Sequence, residues 1–289
     1  MRKESRLLAL IVSVLVACTA QVFAQATTTQ PASSFLEISK EQHERQQAEK
    51  AKANEAGKWD FNLDTRFQSQ SVSPFGKLIW PKPVEQQEVT VWFPKVNGIP
   101  GRFYFDLWHS TNFDSTFDGE GADEVDASIG WKGEIWNGIG LNLWATYLDF
   151  QPIMKTPEKG DQVRFFAELD RKFQITKTQS LTPFVRFEVP WGLKGYKDDS
   201  GLRVYPGVKH NWEFVPNWAI YQKLNLCLDD GATGLQPAVI GDYKTGLTWK
   251  VNSWLTIEPI NFRVVQPLNS ISDGRETEMI VGAAVGIKF

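Results

Sequence analysis

From residue 58 onward, charged and aromatic side chains recur at every second position, interleaved with apolar ones. Six basic residues fall on these polar faces: Arg164, Arg186, Arg203, Lys209, Lys223 and Lys244. They are diluted by Glu168, Asp170, Glu188 and Asp242. Five acidic residues, Asp60, Asp64, Asp106, Glu124 and Asp126, occupy the polar faces of earlier segments. Trp108, Trp144, Phe166, Tyr205 and Tyr221 share the polar phase. Side chains of these types around one aqueous lumen would select solutes by charge and stack against rings or sugars. If the chain closes into a ring, the acidic and basic sets lie on opposite walls. A transverse field would then orient dipolar or zwitterionic solutes. The competing expectation is that the charges pair off and rigidify a closed lumen.

Other chemistries fit the residues less well. His109 lies beside Ser110 and Thr111, but alternation puts Ser110 on the face opposite His109, so the nucleophile and base of a hydrolase are not assembled. The acidic stretch DSTFDGEGADEVD has Ile129 where the twelfth-position Glu of a calcium loop would fall, counting from Asp118. His210 falls in the outward phase and His43 in a polar arm. Neither a metal-ligand spacing nor a phosphate-cradling glycine loop is found, so neither a cofactor nor an enzymatic activity is expected.

The elements that would position these residues are strands. In WDFNLDTRF, Trp59, Phe61, Leu63 and Phe67 oppose Asp60, Asn62, Asp64 and Arg66. Similar segments run near 88–93, 102–109, 124–135, 140–148, 162–173, 182–189, 202–214, 217–228, 239–250, 254–265 and 276–289. This predicts an all-β chain, a single antiparallel up-and-down barrel of about twelve strands. Tight connections (PKVNGIPG, WNG, ITKTQS, VPN, VNS) alternate with long polar ones (such as SQSVSPFGKLIWPKPVEQQ, STNFDSTFDGEGADE and PWGLKGYKDDSG). A transmembrane barrel sorts its loops this way, with short turns on the periplasmic side. Charges such as Arg164 and Glu168 would be costly inside a dry barrel, so the polar face belongs to a wet lumen and the apolar face to lipid. Trp131, Trp136, Phe214, Trp218, Trp249, Trp254 and the terminal Phe289 cluster at the short-turn side, as an aromatic girdle does. At Pro259 the apolar phase slips by one residue, which predicts a bulge. Pro206 suggests that its strand starts late, near Gly207. Twelve strands imply a narrow pore.

The N-terminus reads as an export signal: Arg2, Lys3 and Arg6 precede the apolar run LLALIVSVLVA, and VFAQ offers cleavage after Ala24. LVAC offers the alternative of lipidation at Cys18. Removal of residues 1–24 leaves 28 basic against 33 acidic residues, a net charge of −5, which argues against a nucleic-acid partner. It also leaves Cys227 as the only cysteine, so no intramolecular disulfide is possible. Residues 25–57 read as a polar linker and helical arm, with Ser34 and Glu37 as a capping box. Residues 58–289 form the barrel.

The final segment EMIVGAAVGIKF, with apolar residues at alternate positions before Phe289, resembles the C-terminal signal of outer-membrane barrels. That resemblance implies recognition by the barrel assembly machinery and residence in the outer membrane of a Gram-negative-type bacterium, with the arm in the periplasm. WDFNLDTRFQSQSVSPFG, GRFYFDLWHSTNFDS and EVDASIGWKGE resemble the TorF-like group of small porins, departing where Gln68 stands in place of a glycine. The resemblance implies a channel for small polar solutes across outer-membrane lipid.

Overall fold

The computed structural model describes residues 58–113, 124–149, 162–193 and 200–289. The expected signal, linker and helical arm, and the acidic loop 114–123, lie outside them. Twelve long strands make the wall: β1 (Asp60–Gln68), β2 (Val84–Trp92), β3 (Arg102–Asn112), β4 (Glu124–Trp136), β5 (Ile139–Asp149), β6 (Gln162–Arg171), β7 (Gln179–Gly192), β8 (Arg203–Val215), β9 (Trp218–Asp229), β10 (Ala238–Lys250), β11 (Leu255–Pro267) and β12 (Glu278–Lys288). Each pairs antiparallel with its neighbours in sequence, and β12 pairs with β1, from Asn62 opposite Lys288 to Gln68 opposite Gly282. At the seam the Phe289 amide donates to Phe61 O at 2.8 Å, and Phe289 O accepts from the Phe61 amide at 3.2 Å. The chain is therefore a closed twelve-stranded antiparallel barrel. Closure leaves no open sheet edge, which a lipid-embedded sheet requires.

Alternation sorts the two faces as the sequence leads one to expect. Phe61, Phe67, Phe103, Phe105, Leu107, Ile129, Leu143, Phe165, Phe187, Phe262 and Val281 are exposed on the outside. Such a belt of uncovered large apolar groups far exceeds the patch a water-soluble surface carries. It suits hydrocarbon. The turn between β4 and β5 is tight because Asn137 (φ 51°) and Gly138 (φ 78°) both accept positive φ, as a type I′ hairpin requires. Glu134 caps this turn by accepting from the Gly138 amide at 2.9 Å, and Glu213 does the same for Asn217 in the β8–β9 turn at 3.1 Å.

Pro259 does mark a bulge: the β11–β12 register jumps between Glu258 and Asn261. Pro206 does not delay its strand. β8 begins at Arg203, and Pro206 sits opposite Val185 of β7. The ladder is interrupted only towards β9, between Val204 and Gly207, where a residue without an N–H is tolerated.

A second correction concerns the first long connection. It is not a solvated outer loop running to Gln87. β2 already begins at Val84, and Ser71–Val72 pairs with Leu78–Trp80 in a small hairpin. The hairpin turn is closed by Ser73, whose amide donates to Lys77 O at 2.9 Å and whose hydroxyl accepts from the Lys77 amide at 2.9 Å. It folds into the barrel. Val72 and Phe75 pack in a buried cluster with Tyr205, Cys227, Ala238, Ile240, Val265 and Ile280 from the walls. The wall members explain lapses in alternation: Ile240 follows Val239, Val265 follows Val264, and Ile280 stands between Met279 and Val281. There the strands carry apolar groups on both faces, the outer set uncovered and the inner set packed on the hairpin.

Candidate functional site: a charged lumen beneath an inserted hairpin

Arginines hold the hairpin from several directions. Arg263 donates to Val72 O at 2.9 Å and to Ser73 O at 3.4 Å, and Arg275 donates to Phe75 O at 3.4 Å. The Arg203 guanidinium lies 3.9 Å from the centre of the Phe75 ring, a cation–π contact in a desolvated setting. Arg203 also donates to Glu188 at 2.8 Å, to Ala232 O at 2.9 Å and to Thr233 at 2.7 Å. Tyr205 donates to the other Glu188 oxygen at 2.6 Å. Asp229 links Arg203 (3.4 Å) to Arg275 (2.9 Å). Beyond the strands, Asp273 accepts from Arg275 and from the Gln236 amide. Burial pushes the Asp273 carboxyl up, but these hydrogen bonds outweigh it and hold the group below its usual value.

The hairpin and the walls enclose a chamber of about 670 Å³. Of the residues expected to line a pore, Arg164, Arg186, Lys223, Lys244, Asp106, Glu124, Asp126, Trp108, Trp144, Phe166 and Tyr205 border it. The others lie elsewhere. Arg203 has no exposed surface and is sealed behind Phe75, so it holds the hairpin and does not face a pore. Asp60 pairs with Arg102 near the short turns. Asp64 sits over Gly286 of β12. Lys209 pairs with Glu168 at 3.0 Å, and Tyr221 lies across Gly246 while donating to Glu258 at 2.6 Å.

Most of the basic wall is neutralised where it stands: Arg186 by Glu168 (2.6 Å), Arg164 by Glu188 (3.5 Å), Lys244 by Glu258 (3.6 Å) and Arg263 by Asp242 (3.0 Å). The acidic wall is not uniformly acidic either, since Arg66 pairs there with Glu88 at 2.8 Å. Among the described residues, Asp64, Asp106, Glu124 and Asp126 make no ion pair, nor do Lys132 of β4 and Lys223 of β9. The sequence places Arg66 on the polar face but counts it in neither charge set, and it does not single out Glu88, Glu258 or Arg263. Their inward parity could have found them: Arg66 and Glu88 already lay inside the expected segments, and Arg263 follows once the slip at Pro259 is carried through.

Aromatic rings cover much of the chamber wall. Trp144 and Phe166 stack at 4.6 Å with planes 6° apart, and Arg186 lies 5.4 Å from the Trp144 ring. Lys209 and Lys223 flank Phe184 at 4.7 and 5.4 Å. Three of the inward rings reach over a glycine in register on the next strand: Tyr104 over Gly130, Phe184 over Gly207 and Tyr221 over Gly246. A Cβ at Gly130 would meet the Tyr104 ring at 2.4 Å. The girdle residues Trp131, Trp136, Phe214, Trp218, Trp249, Trp254 and Phe289 flank the short turns or the seam, and Trp218 stacks on Trp249 at 5.3 Å.

No family model matches the sequence, and no curated protein is similar to it in sequence. Solved structures similar to the chain include the NanC porin (11% identity, TM-score 0.48, covering 78% of this chain and 98% of that one). The KdgM porin (7%, 0.47, 79% and 99%) is similar too. So is the COG4313 outer membrane channel from Pseudomonas putida F1 (10%, 0.46, 81% and 96%). At these values the likenesses carry no argument. The fold stands on the strand pairing itself.

Proposed function

We propose that the protein is a porin-like channel of the outer membrane, passing small polar solutes through a narrow lumen. The observation that supports it best is the pairing of an uncovered apolar exterior with a charged, ring-lined chamber of about 670 Å³ inside a closed barrel. In this reading the chain is exported by its N-terminal signal, and the assembly machinery recognises the strand that ends at Phe289. The mature chain keeps its arm in the periplasm. The TorF-like resemblance of the early strands agrees with this role. A field across the lumen is part of the proposal in reduced form: after local pairing it rests on Asp106, Glu124 and Asp126 facing Lys223, and is weakened by the unpaired Lys132 on β4 itself. The experiment is conductance in planar bilayers together with solute uptake into liposomes. Stepwise conductance and unequal uptake of matched cations and anions are expected. Folded protein that neither conducts nor admits solutes would overturn the reading.

The inserted hairpin and the ion pairs within the lumen favour a second reading, a closed barrel that works through its loops or arm as contact surfaces. The same conductance experiment separates the two.

A further inference from the structure

We propose that the β3–β4 wall of the chamber is a binding site for an organic cation, an ammonium or guanidinium group borne by the solute. The inference builds on the channel reading only in assuming that solutes reach the chamber. Asp106 of β3 and Glu124 and Asp126 of β4 project inward from neighbouring strands and border the chamber. The register sets Ser110 opposite Glu124 and Trp108 opposite Asp126. Glu88, Glu168, Glu188, Asp242 and Glu258 of the lumen are each matched by arginine or lysine, but these three make no ion pair among the described residues. Asp106 is 9% exposed and Ser110 is 1% exposed. Asp106 Oδ2, Asp126 Oδ1 and the Ser110 hydroxyl are all shielded and without a hydrogen-bond partner. A shielded carboxylate oxygen lacking a donor bears its full desolvation cost, and neighbouring carboxylates add repulsion. The wall thus has acceptors in excess, and a donor-rich cation is the complementary chemistry.

Two observations narrow the ligand. Among the described residues no group of carboxylate, thiol and imidazole side chains converges closely enough to hold a metal ion. A larger cation that spans the acids is therefore favoured. Trp108 borders the chamber between Asp106 and Ser110 on the same strand face, and its ring offers an ammonium a π surface. Lys223 of β9, six strands round the ring from β3, borders the same chamber and is free to meet a carboxylate at the solute's other end. Amine-bearing zwitterions should then bind better than simple amines.

The test is calorimetric titration of the folded mature chain in detergent micelles, with folding checked by heat-modifiable gel mobility. Butylammonium is the probe; butanol and butyrate are controls. Saturable binding of butylammonium alone is expected, with γ-aminobutyrate tighter still and Lys223→Met abolishing that advantage. Asp106→Asn with Asp126→Asn should weaken butylammonium by about tenfold or more, as loss of charge-assisted hydrogen bonds does. Trp108→Leu should weaken it several-fold, and the distant Glu278→Gln should leave it unchanged. Absence of saturable butylammonium binding, equal affinity for butanol, or indifference to the carboxamide variants would each overturn the proposal. So would calcium binding at these carboxylates that excludes the amine. Binding is read without transport. A barrel that binds but does not conduct refutes only the channel, and one that conducts but does not bind refutes only this site.

Discussion

Arg203 illustrates what a polar position in a barrel strand leaves undecided. Parity gives the face of the strand a residue occupies, and Arg203 does face inward. What covers it is set by Phe75, more than a hundred residues earlier, and no local pattern records that contact. Its removal would leave Glu188 and Asp229 buried with too little opposing charge. Arg203→Ala should therefore cost about 3–5 kcal/mol, the range for breaking a buried ion pair from one side. Urea unfolding in detergent, followed by tryptophan fluorescence, would measure it. Gly130 makes the complementary case of a residue whose value is its lack of a side chain. Gly130→Ala drives a methyl into the Tyr104 ring and should destabilise by about 1–3 kcal/mol, as overpacking does. Adding Tyr104→Ala should recover part of that loss in the same assay, and strictly additive costs would argue against the contact.

At the scale of elements, the strands were legible because period two, loop parity and turn residues such as Asn137–Gly138 all agreed. The inserted hairpin was not legible, because the whole connection SQSVSPFGKLIWPKPVEQQ, with three prolines and polar ends, has the look of a surface loop. Its trace lay in the partner strands, at Ile240, Val265 and Ile280, each an inward apolar residue where a lumen position should be polar. The hairpin has a built-in reporter. Cys227 is fully buried against it, and it is the only thiol left after the signal is removed. A membrane-impermeant thiol reagent should leave Cys227 unlabelled in the folded protein. It should label it when Ser71–Trp80 is replaced by a short Gly-Ser link, and conductance should rise in parallel. Labelling of the intact protein at the same rate would mean that the hairpin does not seal the barrel. The loop after β11 supplies a pH dependence. Because Asp273 is held below its usual value, its contribution is complete above its ordinary pKa of about 4. It fades as pH falls through the lower folded-state value. Pepsin should therefore cut this loop faster at pH 2 than at pH 4. In Asp273→Asn that acceleration should be largely lost, with the loop already sensitive at pH 4.

For the whole molecule, ring closure was readable from counting strands, but the balance of charge in the lumen was not. Two walls of opposite sign are a fair description of the residues as a set. The fold then brings partners such as Arg263 and Asp242 together across adjacent strands, and most of the contrast is spent locally. What survives is chiefly the β3–β4 acids, with Asp64 beyond them, against Lys223 and the unpaired Lys132 of β4. Charge selectivity should therefore be modest and should depend on few residues. Reversal potentials under a potassium chloride gradient should shift towards anions in Glu124→Gln/Asp126→Asn and stay put in Asp242→Asn/Arg263→Gln. The cluster formed by Val72, Phe75, Ile240, Val265 and Ile280 has one more consequence. It gives the long-loop end a dry centre of the kind found in proteins that never meet a bilayer, while the short-turn end relies on its surroundings. The barrel is amphibious along its axis: when lipid is withdrawn, exchange of backbone amides with solvent should begin at the Trp-lined rim and reach the strands around Cys227 last.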